Sequence, residues 1–229
     1  MSKTLSPARG GSHGWRSSAR ENQAARSTTT FTDRMILATE DAIAEAVAVR
    51  LVRDAAGMDV GARLGGRGKG YLKNRVQELN RTARSVPVLL MIDLDSPARC
   101  PADVINSWIG NRNAQFIFRI AVMEVESWLL ADREEFADAF GLRVEQIPVD
   151  SDGIAEPKEL IVSLARRSKK KTVRRDLVPT EGSTASVGPA YNPALINFVR
   201  ERWNLNAAAV NSASLRRAVK RLAPFRVTN

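Results

Sequence analysis

Val86-Pro-Val-Leu-Leu-Met-Ile-Asp-Leu-Asp-Ser-Pro97 is the stretch whose reading decides the fold. Val88 to Ile92 is a short, continuous apolar run bounded by prolines. Such a run reads as a strand buried on both faces, the kind found in parallel sheets. Asp93-Leu94-Asp95 ends it. Ligands of open α/β sheets collect at the carboxyl ends of strands. Alternation along a strand sends Leu94 to one side and both carboxylates to the other. Paired hard oxygen donors suit a divalent cation, Mg²⁺ foremost, with Mn²⁺ as its substitute. A turn or a helix cap uses aspartates in the same places, so the pair alone leaves both roles open.

Working outward, the same punctuation recurs. Met35-Ile-Leu-Ala-Thr39 is a first strand, followed at once by Glu40 and Asp41. A helical period through Ile43, Ala46, Val47 and Leu51 comes next. Glu40 stands at the strand's carboxyl end and at the helix start, where the helix dipole also favours a plain capping carboxylate. Ala114 to Val122 is a later strand ending in Met123-Glu124-Val125-Glu126, with a helix from Ser127 to about Ala131. Three strand ends therefore carry acid, which argues for one shared metal site. Between them, Gly57 to Gly70 is rich in glycine and basic residues and reads as a loop. It lacks the Gly-Lys-Ser/Thr ending of a P-loop, although its glycines would let backbone amides approach a phosphate. A helix over Lys69–Ala83 and another over Cys100–Gly110 complete this half.

Beyond Leu142 the strand pattern stops. Helices are expected from Pro157 to Arg167, from about Pro193 to Trp203 and from Ser212 to Leu222. Glu181–Pro193 reads as a loop, and Arg133–Phe140 as a helix with a solvated face. Three segments follow: a disordered basic arm over 1–33, an α/β core over 34–142 with a central parallel sheet flanked by helices, and a mostly helical, basic C-terminal extension over 143–229 packed on that core.

The chain of 229 residues carries a net charge of +10, which points to a polyanionic partner such as DNA or RNA. The charge is unevenly spread. Glu124 to Glu159 holds eleven carboxylates against three basic residues, whereas Arg166 to Arg175 holds seven basic residues in ten. Arg67 and Lys69, with Arg166, Arg167, Lys169, Lys170, Lys171, Arg174 and Arg175, are the candidate contacts to a nucleic-acid backbone. No apolar run is long enough for a membrane span, and the N-terminus lacks an apolar signal region. The single cysteine, Cys100, excludes an intrachain disulfide and a cysteine-based zinc site. A cytoplasmic protein is expected. The only histidine, His13, lies in the N-terminal arm, so histidine chemistry is not expected in the folded part.

A Glu after a first strand and Asp-X-Asp after a later one resembles the Toprim domain of topoisomerases, bacterial primases and overcoming-lysogenization-defect nucleases. The more specific resemblance is to an uncharacterised bacterial group of Toprim-like proteins. It rests on Ile36–Ala46, Gly65–Lys69, Val88–Asp95, Met123-Glu-Val-Glu-Ser-Trp-Leu-Leu-Ala-Asp132, Pro157–Leu164, Arg174–Pro179 and Gly188–Pro193, and covers most of residues 35–222. The resemblance implies a Toprim-like α/β fold, bound Mg²⁺ and phosphodiester chemistry. It implies Glu40 as general acid/base, Asp93 and Asp95 as metal ligands, and Glu126 or Glu124 as a further ligand. It also implies an ATPase partner encoded nearby and a place in phage defence. The alternative it leaves is a non-catalytic regulatory or nucleic-acid-binding subunit of such an ATPase. Glycine commonly follows the first Glu in these domains; here Asp41 stands there.

Overall fold

The computed structural model describes Met1, residues 33–94 and residues 100–226. Asp95 and nearly all of the basic N-terminal arm, His13 included, lie outside the described residues. No helix among the described residues is long and apolar enough to cross a membrane.

The first half alternates strand and helix: β1 (Arg34–Thr39), α1 (Ala42–Ala56), β2 (Asp59–Gly65), α2 (Gly68–Thr82), β3 (Val88–Asp93), α3 (Pro101–Trp108) and β4 (Phe116–Ala121). The strands form one sheet in the order β2-β1-β3-β4, and every pairing is parallel. Leu37, Leu89 and Ile117 sit in register and share the face covered by α1. One residue on, Ala38, Leu90 and Phe118 share the opposite face, which α2 and α3 cover. The alternation of side chains along each strand thus feeds two separate cores, which is why Val88 to Ile92 can be apolar throughout.

The strand order also fixes where the chain turns back. From β1 it crosses to β2 with α1 on one face, then returns past β1 to β3 and β4 with helices on the other face. A constant crossover hand requires this change of face when the direction reverses. The reversal leaves a crevice between the carboxyl ends of β1 and β3, the place where such sheets bind ligands.

The second half is helical: α4 (Glu126–Leu130), α5 (Arg133–Phe140), α6 (Pro157–Arg166), α7 (Lys171–Leu177), α8 (Tyr191–Glu201), α9 (Leu205–Asn211) and α10 (Ala213–Leu222). α8 and α10 pack on α1, and the buried cluster on that face runs from Met35 to Leu222. At its centre lies α4, all five of whose residues are buried. Trp128 Nε1 donates to Ser214 Oγ at 2.7 Å, and Trp203 Nε1 donates to the Trp128 carbonyl at 3.1 Å. The Asn204 N–H donates to Asp132 Oδ2 at 2.7 Å. Each polar end of this segment is therefore paired, as burial demands.

Three expectations from sequence are corrected. Gly57–Gly70 is not a loop, because it contains the edge strand β2. β2 carries an extra residue where Met35 and Leu37 of β1 pair with Val60 and Arg63, and this bulge breaks the alternation that marks a strand. The acidic helix α5 is not merely a solvated face, since Phe136 and Phe140 are buried against Phe198 of α8. The loop after α7 ends at Ala190, earlier than composition suggests, because the Ala190 N–H is held by the Asp176 carbonyl at 2.9 Å and α8 starts directly after it. α9, too short to show a clear period, joins α8 to α10.

Gly65 closes β2 against β1. A Cβ there would lie 2.0 Å from the Thr39 carbonyl oxygen. Gly70, in the first turn of α2, has open space around the same position. Gly65→Ala is therefore expected to lower stability by about 2 kcal/mol or more, because backbone must move. Gly70→Ala is expected to raise it by about 0.5 kcal/mol through helix propensity. Urea denaturation of the two variants checks both signs.

Candidate functional site

The crevice between β1 and β3 is built first from backbone. After Thr39 the chain passes through Glu40 to Asp41, whose Oδ1 accepts from the Ala44 N–H at 2.8 Å. Asp41 is thus the N-cap of α1. The capping role open to Glu40 on sequence belongs to its neighbour. Glu40 instead faces Lys69, whose Nζ is 4.0 Å from Glu40 Oε2. Lys69 lies in the first turn of α2 and donates to the Asp93 carbonyl at 2.7 Å. One ammonium therefore spans the crevice from the end of β1 to the end of β3.

A second tie joins β3 to β4. Asp93 Oδ1 accepts from the Val125 N–H at 3.0 Å. Beyond Asp93, the Leu94 N–H donates to the carbonyls of Ala121 and Met123, both at 3.1 Å. Met123 adopts φ 66°, a left-handed conformation that a non-glycine residue rarely takes. This strained turn brings Val125, and with it Glu124 and Glu126, back toward Asp93. Glu126 is 3% exposed.

Two groups from the helical half close the site, and neither was singled out from sequence. Lys158, in the first turn of α6, places its Nζ 3.2 Å from Glu124 Oε1 and 3.9 Å from Glu126 Oε1. Its backbone N–H also donates to Glu124 Oε2 at 3.0 Å. Tyr191, which opens α8, donates its hydroxyl to Glu126 Oε1 at 3.4 Å. Lys158 had a legible signal: a lysine in a helix's first turn opposes the helix dipole, so an acid facing it is the expected compensation. Tyr191 had none, because its partner lies 65 residues away.

The electrostatics follow from burial and crowding. Burial, and after it the charges of Glu126, Asp41, Glu40 and Glu124, hold the Asp93 carboxyl well above the usual carboxylate range. Burial likewise pushes Glu126 up to about 7, with Lys158 pulling the other way and Glu124 adding to the rise. Burial lowers the proton affinity of Lys158, but Glu126 and Glu124 outweigh it and the net shift is upward. Burial and the same two glutamates push the Tyr191 hydroxyl up, so it stays a donor. The site holds more negative charge than its two lysines offset.

The donor set is all carboxylate oxygen, the chemistry that a hard cation takes, and the residual negative charge fits one. Asp93, Glu126 and Glu124, with Glu40 across the crevice, are the described residues that could contribute. Among the described residues no three acidic, histidine or cysteine side chains are gathered as a ready ligand group. Asp95, the remaining expected ligand, lies outside the described residues.

The expected nucleic-acid contacts are scattered more widely. Arg67 is exposed, with its guanidinium over the Tyr71 ring at 5.2 Å, whereas Lys69 is inside the crevice. Arg166, Arg167, Lys169 and Lys171 are exposed around the end of α6 and the start of α7. Lys170 donates to the carbonyls of Asp138 and Ala139 at the end of α5, at 2.8 and 2.9 Å. Arg174 donates to the Ser168 carbonyl, and Arg175 pairs with Asp176 at 2.7 Å. Part of the basic run thus closes the junction between α5 and α7, and part of it faces solvent.

Comparison with protein-family models, with curated proteins and with solved structures finds no match for this chain.

The raised Glu126 pKa has a direct consequence for stability. A carboxyl that ionises near 4.5 when unfolded and about 7 when folded costs stability as pH rises through that window. Below the window the cost is absent; above it the cost is complete. Glu126→Gln is therefore expected to leave the melting temperature nearly unchanged at pH 4.5. At pH 8 it should stabilise the protein on the order of 2–3 kcal/mol. Thermal melts of parent and variant at the two pH values check this, and a constant offset would contradict it.

Proposed function

We propose that the protein is a Toprim-like phosphodiester hydrolase acting on DNA or RNA, with Mg²⁺ held by Asp93, Asp95 and Glu126, assisted by Glu124. One observation carries this reading: three acid-bearing strand ends are tied to one crevice. Lys69 links the end of β1 to the end of β3, and the Val125 N–H on Asp93 links β3 to the turn carrying Glu124 and Glu126. The crevice lies at the reversal of strand order, where α/β sheets bind their ligands.

Bound there, Mg²⁺ or Mn²⁺ would supply neutralisation of phosphate charge and a water of lowered pKa. The chain's own groups do the rest. Glu40, directly after β1, takes the proton from the attacking water at a carboxylate oxygen and returns it to the leaving oxygen. Lys69 holds Glu40 in place through its charge and fixes the end of β3 through its hydrogen bond. Tyr191 and Lys158 orient Glu126 from the opposite side. The exposed basic residues Arg67, Arg166, Arg167, Lys169 and Lys171 hold the backbone without reading bases. In this reading the protein works beside an ATPase in phage defence.

A second reading has its own observation. Lys158 already gives Glu124 and Glu126 a cation within 4 Å. That arrangement suits a non-catalytic, Toprim-like subunit that regulates or binds nucleic acid for an ATPase partner.

The two readings separate in one experiment. Hydrolysis predicts Mg²⁺ binding by calorimetry and Mg²⁺-dependent cleavage of mixed single- and double-stranded substrates. Combining Glu40→Ala with Asp93→Asn is expected to reduce cleavage by at least about 10²-fold while the thermal unfolding transition stays cooperative. Undiminished cleavage in that variant rejects the assignment. No metal binding and no cleavage, with retained nucleic-acid binding, selects the second reading.

A further inference from the structure

Away from the crevice, one group is out of keeping with its surroundings. Arg119 lies on β4, an edge strand, and pairs in register with Met91 of β3. Met91 belongs to the core on the α1 face, and α10 packs on β4. A guanidinium is thus laid along the margin of an apolar layer. Its Nε is buried and has no hydrogen-bond partner among the described residues. Burying a charged donor without a partner is costly.

The charges around it make the cost greater. Burial first, and then the charges of Arg217, Arg221 and Arg112, lower the Arg119 pKa. Arg217 and Arg221 are exposed on α10, four residues apart and so on one face of that helix, and Arg112 is exposed in the loop that leads into β4. Arg221 also donates to the Ala114 carbonyl at 3.1 Å, which fixes the end of α10 over the start of the strand. No ion pair among the described residues includes any of the four. Four guanidiniums gathered without an acid form a site of positive charge that an external anion would complete.

We propose that Arg112, Arg119, Arg217 and Arg221 form a phosphate-binding track along the β4 edge, which holds the sugar–phosphate backbone of a nucleic acid. Guanidinium groups bind phosphate oxygens in pairs, which four guanidiniums gathered on β4, α10 and the loop before β4 can repeat. The position also suits the proposed reaction. Ala121, two residues beyond Arg119, pairs with Asp93. At the rise of a strand, Arg119 is therefore about 7 Å along the sheet from the level of the crevice. This part of the inference rests on the hydrolase reading; the track itself does not, because a non-catalytic subunit would hold nucleic acid the same way.

The test is binding, measured in EDTA so that cleavage cannot contribute. Fluorescence anisotropy with a labelled single-stranded oligonucleotide is recorded across a salt series for the full chain and two double variants. Arg217→Gln with Arg221→Gln changes only exposed track residues. Lys169→Gln with Lys171→Gln removes the same charge from the other basic surface. The track predicts that the first pair weakens binding about 10-fold or more near 0.1 M salt. It also predicts a fall in the salt slope of between one and two, whereas the second pair has a clearly smaller effect. Arg119→Leu is expected to weaken binding while raising the melting temperature, since it removes a buried, unpaired charge.

Equal losses from the two double variants, or an unchanged affinity in Arg119→Leu, would overturn the track. So would an absence of binding by the parent chain, or equal affinity for poly-glutamate, which would make the partner an acidic protein. Failure of the hydrolase reading is a different result: binding that depends on the track, with no Mg²⁺-dependent cleavage.

Discussion

Every strand of the sheet runs the same way, so all four carboxyl ends open on one edge of the molecule. The rest of the site depends on this constraint. An antiparallel pairing of β1 with β3 would put Glu40 and Asp93 at opposite ends of their strands. Parallel pairing puts them side by side, and the reversal of strand order leaves no connecting helix between them. The ties made by Lys69 and by the Val125 N–H then hold a geometry that topology has already chosen.

The acids brought together this way oppose folding. Asp93 and Glu126 are both pushed toward protonation, mainly by burial and then by neighbouring carboxylates. A left-handed Met123 adds backbone strain at the same turn. The compensation comes from apolar packing behind the site. α4 is wholly buried, and Trp128, Trp203 and Tyr191 around it are among the largest fully buried side chains. Electrostatic cost at a strand end is thus carried by a core that reaches from Met35 to Leu222. The helical half is in that sense part of the site's support.

The two basic surfaces differ in kind. In the Arg166–Arg175 run, Lys170 and Arg174 are used up on backbone carbonyls and Arg175 on Asp176. Those charges mend a helix end and a junction. At the β4 edge, by contrast, Arg119 is partly buried among like charges. A dense basic run in sequence is therefore a poor guide to where a protein presents unpaired charge.

Much of the fold was legible in the chain itself. The continuous apolar run Val88–Ile92 marks a strand covered on both sides; apolar runs place β1 and β4, and helical patterns place α2 and α6, within a residue or two. These are local signals, set by how a side chain meets its nearest covering layer. The acids at strand ends were visible for the same reason. Where the local signal fails, tertiary structure decides. β2 hides because an edge strand with a bulge and two glycines shows little alternation. Asp41, not Glu40, caps α1 because capping turns on one backbone angle. Lys158, Tyr191 and the arginines around Arg119 take their roles from partners brought in across 34 to 107 residues. Sequence determined which residues would be buried and where strands end; the parallel sheet and the packing of its helices decided which charges meet.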